Sequence, residues 1–305
     1  MSARDALARR LARRLAIGAP LAWLALFFVA PALVLLKISF SVSVLGQPPY
    51  EPRFDLSAGF AAFLESLRGL SLDSYALILQ DDLYLHALLG SLRVAGLSTA
   101  LALLIAYPLA LAMAHAPRNW RPALILLAVA PFWTSFLIRV YAWIMILKDE
   151  GLLNRALAAS GLLDAPLRLF ATEGAVVIGV AYAYLPFAIL PIYNALDRQD
   201  RTLVEAARDL GASRLRAFWS VAFPLSLPGV FAGALLVFIP ACGEVVIPDL
   251  LGGPETWMLG RAIWNDFFAN RDWPAASAAA ALLLLAILAP LIAFERAQMR
   301  EEERA

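Results

Sequence analysis

Six long apolar stretches dominate the sequence, and they restrict the fold more than any other feature. A helix needs about 20 consecutive apolar residues to cross the hydrocarbon core of a membrane. Backbone groups inside a bilayer must also be hydrogen-bonded within their own segment, which favours helices. Because 62% of the residues are hydrophobic and only 16% are charged, we predict an all-α polytopic membrane protein with six transmembrane helices. The predicted spans are residues 21–40, 87–114, 122–147, 175–195, 224–247 and 274–294.

The distribution of basic residues predicts the orientation of these spans. Cytoplasmic loops of membrane proteins carry an excess of lysine and arginine. Fifteen basic residues lie in the two termini and in the loops after the second and fourth spans, whereas seven are spread over the longer loops of the opposite side. Both termini are therefore predicted to be cytoplasmic, with segments 41–86, 148–174 and 248–273 facing outward. The first stretch is too long for the apolar region of a signal peptide, so we expect it to be retained.

The loop between the fourth and fifth spans has the pattern of two short helices joined by a glycine turn. Thr202 and Glu205 are spaced as a capping box, in which each side chain bonds an unpaired amide at the helix start. Gly211 suits the left-handed conformation that ends many helices, and Ser213 can begin a second short helix that stops before Pro224. Apolar positions at helical spacing form one face: Leu203, Ala206, Ala207 and Leu210. The loop is either a docking element for another protein or an ordinary charged loop lying on the membrane surface.

The same loop resembles the EAA loop of permease subunits of type I, binding-protein-dependent ABC importers. Its Glu-Ala-Ala triplet is followed after three residues by a glycine, and after nine more by Val-Ala-Phe-Pro. The family pattern ends in Ile-x-Leu-Pro, so Val221 and Phe223 are departures that keep an apolar side chain. The resemblance implies that the loop is a coupling helix, seated in a groove of a separate ATP-hydrolysing subunit. The residues expected to couple the chain to that ATPase are Thr202, Glu205, Ala206, Ala207, Gly211 and Pro224.

Three further segments resemble the putrescine/spermidine transport permeases, and most of all the putrescine-type subunit. They are PFWTSFLIRVYAW (131–143), FIPACGEVVIPDLLGG (238–253) and NRDWP (270–274), and the likeness extends over residues 20–297. It implies half of a translocation path for a polyamine, putrescine or spermidine, across the bacterial inner membrane. It also implies the partners: a second homologous permease, two ATPase subunits and a periplasmic polyamine-binding protein.

The resemblance and the span positions together give the expected organisation of the chain. Residues 1–19 are a basic cytoplasmic tail, 20–44 the first transmembrane helix and 45–85 a periplasmic segment. Residues 86–297 form a type I ABC transmembrane domain of five helices, with the coupling loop at 196–221, and 298–305 are the cytoplasmic C-terminal tail.

Four ionisable side chains lie within or at the ends of the predicted spans. Charged residues are rare in such segments and are often functional. Lys37 and Arg93 lie near the outer ends, where long side chains can extend to the interface. Arg139 is expected to make a structural pairing, either with Glu244 or with a backbone carbonyl. Glu244 either attracts the ammonium groups of a substrate or forms that ion pair, and Asp249 extends the same acidic mouth.

Aromatic residues near these charges have two possible roles. Ring faces attract cations by about 0.5 to 2 kcal/mol each, depending on how far the site is desolvated. The same residues also serve as packing or interface anchors in membrane proteins. The candidates for lining a cation path are Trp133, Tyr141, Tyr182 and Tyr184.

Several classes of function have no signature in the sequence. A G-x-x-x-x-G-K-[ST] phosphate loop is missing, so ATP and magnesium are expected on the partner ATPase and not on this chain. His86 and His115 stand apart from each other and from the single cysteine, Cys242, so we expect no metal site. A single cysteine cannot form an internal disulfide. We also expect no catalytic residues, because the sequence has no convincing nucleophile constellation. The net charge of +1 gives no indication of a nucleic-acid partner.

Three alternatives remain open at the level of the sequence. The first is an ABC permease for another small solute, such as an amino-acid derivative, thiamine, iron or sulfate. The second is an ion-coupled secondary transporter, which would show an internal inverted repeat. The third is an intramembrane enzyme, which would need a catalytic pair.

Overall fold

The described part of the chain, residues 16–53, 66–161 and 165–302 of a computed structural model, is mostly helical. An antiparallel hairpin of two short strands, β1 (Val42–Ser43) and β2 (Tyr50–Glu51), follows the first helix. In chain order the helices are α1 (Ala16–Ser39), α2 (Asp73–Gln80), α3 (Asp82–His115), α4 (Arg121–Val129), α5 (Phe136–Leu147), α6 (Leu152–Ala159), α7 (Glu173–Asp197), α8 (Arg201–Asp209), α9 (Arg214–Cys242), α10 (Val246–Leu251), α11 (Leu259–Trp264) and α12 (Trp273–Glu302). Most of the predicted N-terminal tail and part of the predicted periplasmic segment lie outside the described residues.

Five of these helices, α1, α3, α7, α9 and α12, are long and apolar enough to cross a membrane. α4 and α5 belong to a bent pair, which makes a sixth span if its two halves cross together. The predicted all-α polytopic fold is therefore confirmed. Prolines do not interrupt α3 and α7, because α3 continues through Pro108 and α7 through Pro186 and Pro191.

The third predicted span, 122–147, is not one continuous helix, and this corrects the prediction. α4 passes into a 3-10 turn at Ala130–Trp133, and the direction of the chain then changes by 89°. Thr134 and Ser135 at the break have extended backbones. Pro131 lacks a backbone N–H, and the Thr134 hydroxyl donates to the Pro131 carbonyl over 2.7 Å, so the turn is closed locally instead of continuing as a helix.

The fifth predicted span, 224–247, begins earlier and ends sooner than expected. The second loop helix does not stop before Pro224 but continues directly into α9. A π-helical turn at Phe218–Ala222 widens the helix ahead of the proline, where a regular α-helical carbonyl would clash with its ring. α9 then ends at its junction with Gly243, whose N–H donates to the Pro240 carbonyl. Glu244 consequently lies in a turn beyond the span.

The chain divides into two compact units. In the first, α2 packs against the end of α1, where the Ser39 and Tyr75 hydroxyl oxygens are 2.7 Å apart and the Phe40 and Tyr75 rings are 5.1 Å apart. The second unit contains α3 to α10 and a core rich in alanine. The units comprise residues 1–82 with 263–282, and residues 83–262 with 283–305.

The pair α7 and α9 forms an extensive helix contact. Small residues bring the two backbones together: a Cβ on Gly229 would lie 2.5 Å from the Ala195 Cβ and 2.6 Å from the Pro191 carbonyl oxygen. Four residues later, a Cβ on Gly233 would lie 3.1 Å from the Ala188 carbonyl oxygen. Two glycines at this spacing let membrane helices approach closely and gain dispersion contacts.

We expect Gly229→Ala to destabilise the protein by about 1–3 kcal/mol, because the added methyl group must push α7 and α9 apart. Thermal unfolding in detergent should show a lower midpoint than for the wild type. Gly96→Ala is the matched control, because a Cβ at Gly96 in α3 meets nothing within 4 Å. Equal midpoints for the two variants would contradict the close-contact interpretation.

Candidate functional site

The helix α8 lies where the coupling helix is predicted, and its N-cap lies two residues earlier than expected. Asp200, not Thr202, is the N-cap: its carboxylate accepts the Thr202 N–H over 3.0 Å. Thr202 lies inside the helix, so the predicted Thr202–Glu205 capping box is wrong. Asp and Thr are both favoured at the N-cap position. The spacing between Thr202 and Glu205 fits a capping box, and it did not indicate that the helix already begins at Arg201.

The hydrogen bond at this cap changes the pKa of the Asp200 carboxyl group. The Thr202 N–H that it accepts lowers the pKa of Asp200 below its ordinary value. A lowered folded-state pKa means that the cap stabilises the helix above the ordinary carboxyl pKa and is lost as the pH falls through the lowered value. The cap is therefore fully charged at neutral pH.

The end of α8 is closed by the glycine turn that the sequence predicts. Gly211 has φ +89°, the left-handed conformation that costs a side chain about 1–2 kcal/mol. The Gly211 N–H donates to the Arg208 carbonyl and the Ala212 N–H to the Ala207 carbonyl, over 2.9 and 3.0 Å. These two bonds are a complete Schellman motif. Ser213 then caps α9, as predicted, by accepting the Arg216 N–H.

The surface of α8 is uncovered in the chain. No residue of this helix is buried. Leu203 is 49% exposed and Leu210 is 89% exposed, and Ala206 and Glu205 of the triplet are also exposed. An amphipathic helix with an uncovered apolar face is suited to docking against another protein.

Arginine side chains tie α8 to neighbouring helix ends. Arg201 Nη2 donates to the Ala114 carbonyl in the last turn of α3, over 2.9 Å. Arg121, the first residue of α4, donates to the same carbonyl and pairs with Asp197 at the end of α7. Gln199 donates to the Ala222 carbonyl in α9. The loop is thus attached to the end of α3 and to the first part of α9, while its apolar face remains uncovered.

Glu244 forms the second candidate site, in the turn between α9 and α10. Its side chain is buried and fully bonded within the chain. Tyr184 of α7 donates its hydroxyl to Glu244 Oε2 over 2.5 Å, and the N–H groups of Val246 and Ile247 donate to Oε1 over 3.1 and 3.4 Å.

The predicted pairing of Arg139 and Glu244 is not formed. The Nε and Nη1 atoms of Arg139 are buried and have no hydrogen-bond partner among the described residues, which also argues against a bonded backbone carbonyl for these atoms. The guanidinium instead lies over the Phe132 and Phe136 rings, 5.3 and 5.7 Å from their centres. Aromatic faces, and not a carboxylate, compensate this intramembrane cation.

A row of aromatic rings separates the two charges. Phe132 packs edge-on against Phe187 at 5.2 Å, and Phe187 lies 6.1 Å from the Tyr184 ring, which bonds Glu244. The sequence analysis did not single out Phe132 or Phe187. The spacing of three residues between Tyr184 and Phe187, which puts both on one helix face, was the available signal.

The other predicted residues are not gathered at this site. Tyr182 lies two positions from Tyr184, hence about 200° around α7, and packs against Trp143 at 5.5 Å. Trp133 and Tyr141 are exposed on the surface of the chain. Asp249 pairs with Arg261 over 3.3 Å.

The two cations near the outer span ends have partners in the chain. Arg93 forms a two-point ion pair with Glu173, with Nε 2.8 Å from Oε1. Lys37 donates to the Pro52 carbonyl and lies over the Tyr50 ring. The expectation that they merely extend to the interface is therefore incomplete. Among the described residues there is no group of three or more His, Cys, Asp or Glu side chains that could hold a metal ion.

Comparison with known proteins assigns the chain to a family. The family model described as "binding-protein-dependent transport system inner membrane component" matches residues 3–294. The chain belongs to this family. It is therefore a permease component of an ABC importer, a multi-pass protein of the inner membrane.

Curated relatives and a solved structure agree with this assignment. The spermidine/putrescine transport system permease protein PotB of Escherichia coli (strain K12) is 38% identical over 275 residues, covering 90% of this chain and 94% of PotB. PotB of Haemophilus influenzae is 37% identical over 282 residues, covering 92% of each chain. A bacterial ABC transporter that imports the acidic polysaccharide alginate shares the fold, with a TM-score of 0.68 and 16% identity over 96% of this chain and 98% of that one.

We expect Tyr184→Phe to destabilise the permease by about 1–3 kcal/mol, because it leaves a buried carboxyl oxygen of Glu244 without its donor. A thermal unfolding midpoint in detergent measures this loss. Tyr182→Phe on the same helix is the control, because the Tyr182 hydroxyl has no hydrogen bond within the described residues. If both variants unfold at the same temperature, the Tyr184–Glu244 bond does not stabilise the turn.

Proposed function

We propose that this permease forms half of the path by which an ATP-driven importer carries a polyamine, putrescine or spermidine, across the inner membrane. The observation that carries the proposal is the identity of 38% with a spermidine/putrescine permease over nearly the whole of both chains. The chemistry of the site is consistent with a cationic substrate, because the carboxyl group of Glu244 lies at the end of a row of aromatic rings.

Along the proposed path, ring faces and a carboxyl group would successively replace the water molecules that hydrate the ammonium groups of the substrate. Ring faces of Phe132, Phe187 and Tyr184 attract a cation without binding it as tightly as a carboxylate does. Glu244 supplies the negative charge, although its bonds must loosen before it can contact a substrate directly. Arg139 at the far end of the row would repel a second ammonium group. Four further residues remain proposed contacts of the substrate: Asp249, Trp133, Tyr141 and Tyr182. They are not gathered around Glu244, so they would line the path only where it continues between this chain and the partner permease.

The uncovered apolar face of helix α8 supports a partner at this side of the permease. We place two ATPase subunits, which bind ATP and magnesium, on this helix and on its counterpart in a second homologous permease. A periplasmic polyamine-binding protein delivers the solute to the other side. Closure of the ATPase pair would draw the two coupling helices together, and the attached helix ends would rock the membrane halves between inward and outward states.

The proposed orientation has both termini in the cytoplasm. The excess of arginine in the tails and in the loop that contains α8 supports it. The same orientation places the α5–α6 loop and the segment after α10 in the periplasm. The domain boundaries given above, including the coupling loop at 196–221, remain part of this proposal.

Uptake by the reconstituted importer tests the substrate. Vesicles with this permease, its partners and the binding protein should accumulate labelled putrescine only with ATP and an active ATPase subunit. Unlabelled spermidine should compete, whereas thiamine, sulfate or iron should not. Uptake that persists without ATPase activity would indicate a secondary transporter, and competition by another solute class would replace the polyamine assignment.

We expect Gly211→Val to weaken attachment of the ATPase about five- to thirtyfold, since the left-handed backbone at this residue costs a β-branched side chain about 1–2 kcal/mol. Co-purification of the ATPase with the permease measures the effect, and uptake should fall with it. Gly161→Val is the matched control. Gly161 follows the end of α6 and also has a left-handed backbone (φ +70°), but it does not belong to the loop that contains α8. Deletion of Glu205, Ala206 and Ala207 should abolish attachment. An intact complex and normal uptake in these α8 variants would refute the docking role.

A further inference from the structure

Three aromatic rings and one ammonium group form a contiguous cluster in the first unit of the chain. Lys37, in the last turn of α1, holds its Nζ 4.3 Å from the centre of the Tyr50 ring and donates to the Pro52 carbonyl. The Tyr50 ring lies 6.1 Å from that of Trp273. Trp273 in turn stacks on Phe267, with centres 4.8 Å apart and an angle of 7° between the rings. We call Tyr50, Trp273 and Phe267 the outer aromatic cluster.

The contacts of Lys37 are those that an alkylammonium ligand would need. A lysine side chain is an ammonium group on a chain of four carbons, and putrescine is a chain of four carbons with an ammonium group at each end. A ring face and a carbonyl oxygen are complementary to such a group, because the ring attracts the charge and the oxygen accepts one of its three N–H donors. The contacts of Lys37 therefore show how the ammonium group of a ligand would be bound at this position.

The cluster is open to a ligand that comes from outside. Phe267 is exposed, and Tyr50 and Trp273 are only partly buried. The stacked pair adds ring surface beyond the position of the Lys37 ammonium, so a second charged end of a diamine would also find an aromatic face. Two carboxylate residues adjoin the rings in the sequence, Glu51 beside Tyr50 and Asp272 beside Trp273.

We propose that the outer aromatic cluster is a binding site for a primary alkylammonium group, and that Lys37 occupies it when no diamine is bound. An entering ammonium group competes with Lys37 for the Tyr50 ring face and the Pro52 carbonyl, and displaces it. The inference rests on the proposed polyamine function and deepens it. Every residue of this cluster belongs to the first unit of the chain, whereas Glu244 and Tyr184 belong to the second.

The lysine content of the chain allows a direct test by NMR. Lys37 and Lys148 are the only lysines, so lysine labelled with carbon-13 gives two side-chain Hε–Cε signals in the full chain, held in lipid nanodiscs. Lys148→Arg assigns them. We expect the Lys37 signal to be shifted upfield by the ring current of Tyr50, to stay there in Tyr50→Phe and to lose the shift in Tyr50→Leu.

Titration with putrescine then tests displacement. The Lys37 signal should move toward its position in Tyr50→Leu, while the Lys148 signal stays in place and 1,4-butanediol, which has the same length but no charge, has no effect. A Lys37 signal without an upfield shift, one that saturating putrescine leaves unmoved, or equal movement of both lysine signals would overturn the proposal. The polyamine function fails separately: if Lys37 is displaced but the importer carries no polyamine, the site stands and the transport assignment falls.

Discussion

Close backbone contact between α7 and α9 is the constraint on which the second unit depends. Gly229 and Gly233 leave room for the backbone of α7 at Ala188 and Pro191, so the two helices approach without intervening side chains. Lipid offers no hydrophobic drive for helices to associate, and therefore dispersion across such a contact supplies much of the stability. Both candidate sites are arranged around this one pair.

The two ends of the pair carry different chemistry. At one end, the chain that joins α7 to α9 forms α8, which Arg201 attaches to the end of α3 and Gln199 to α9. At the other end, the turn after α9 brings Glu244 onto the Tyr184 hydroxyl of α7. A force applied to α8 would therefore act on the same two helices that hold the carboxylate. The chain therefore has a short mechanical connection between α8 and Glu244.

Local chemistry could be predicted from the sequence wherever one residue determines the backbone. The long apolar stretches predicted the helices, and Gly211 and Ser213 predicted the turn and the start of the second loop helix, because left-handed backbone and helix caps depend on few atoms. The cap at Thr202 failed for the same reason, since Asp200 two residues earlier could fill that role equally well. The break at Thr134 and Ser135 was also missed, because hydropathy shows that a segment is apolar but not whether its helix changes direction. Pro131, just before the break, was a sequence signal for it.

Contacts between distant residues could not be predicted in this way. Arg139 and Glu244 seemed to be natural partners, because each was the obvious opposite charge for the other within the membrane. In the folded chain the ring of Tyr184 supplies a hydroxyl to Glu244, and the faces of Phe132 and Phe136 compensate Arg139. A hydroxyl and two ring faces contact these two groups, and the groups do not form an ion pair with each other. For a transporter of cations this arrangement has a consequence, since an ion pair at Glu244 would cancel the attraction that a positively charged solute requires.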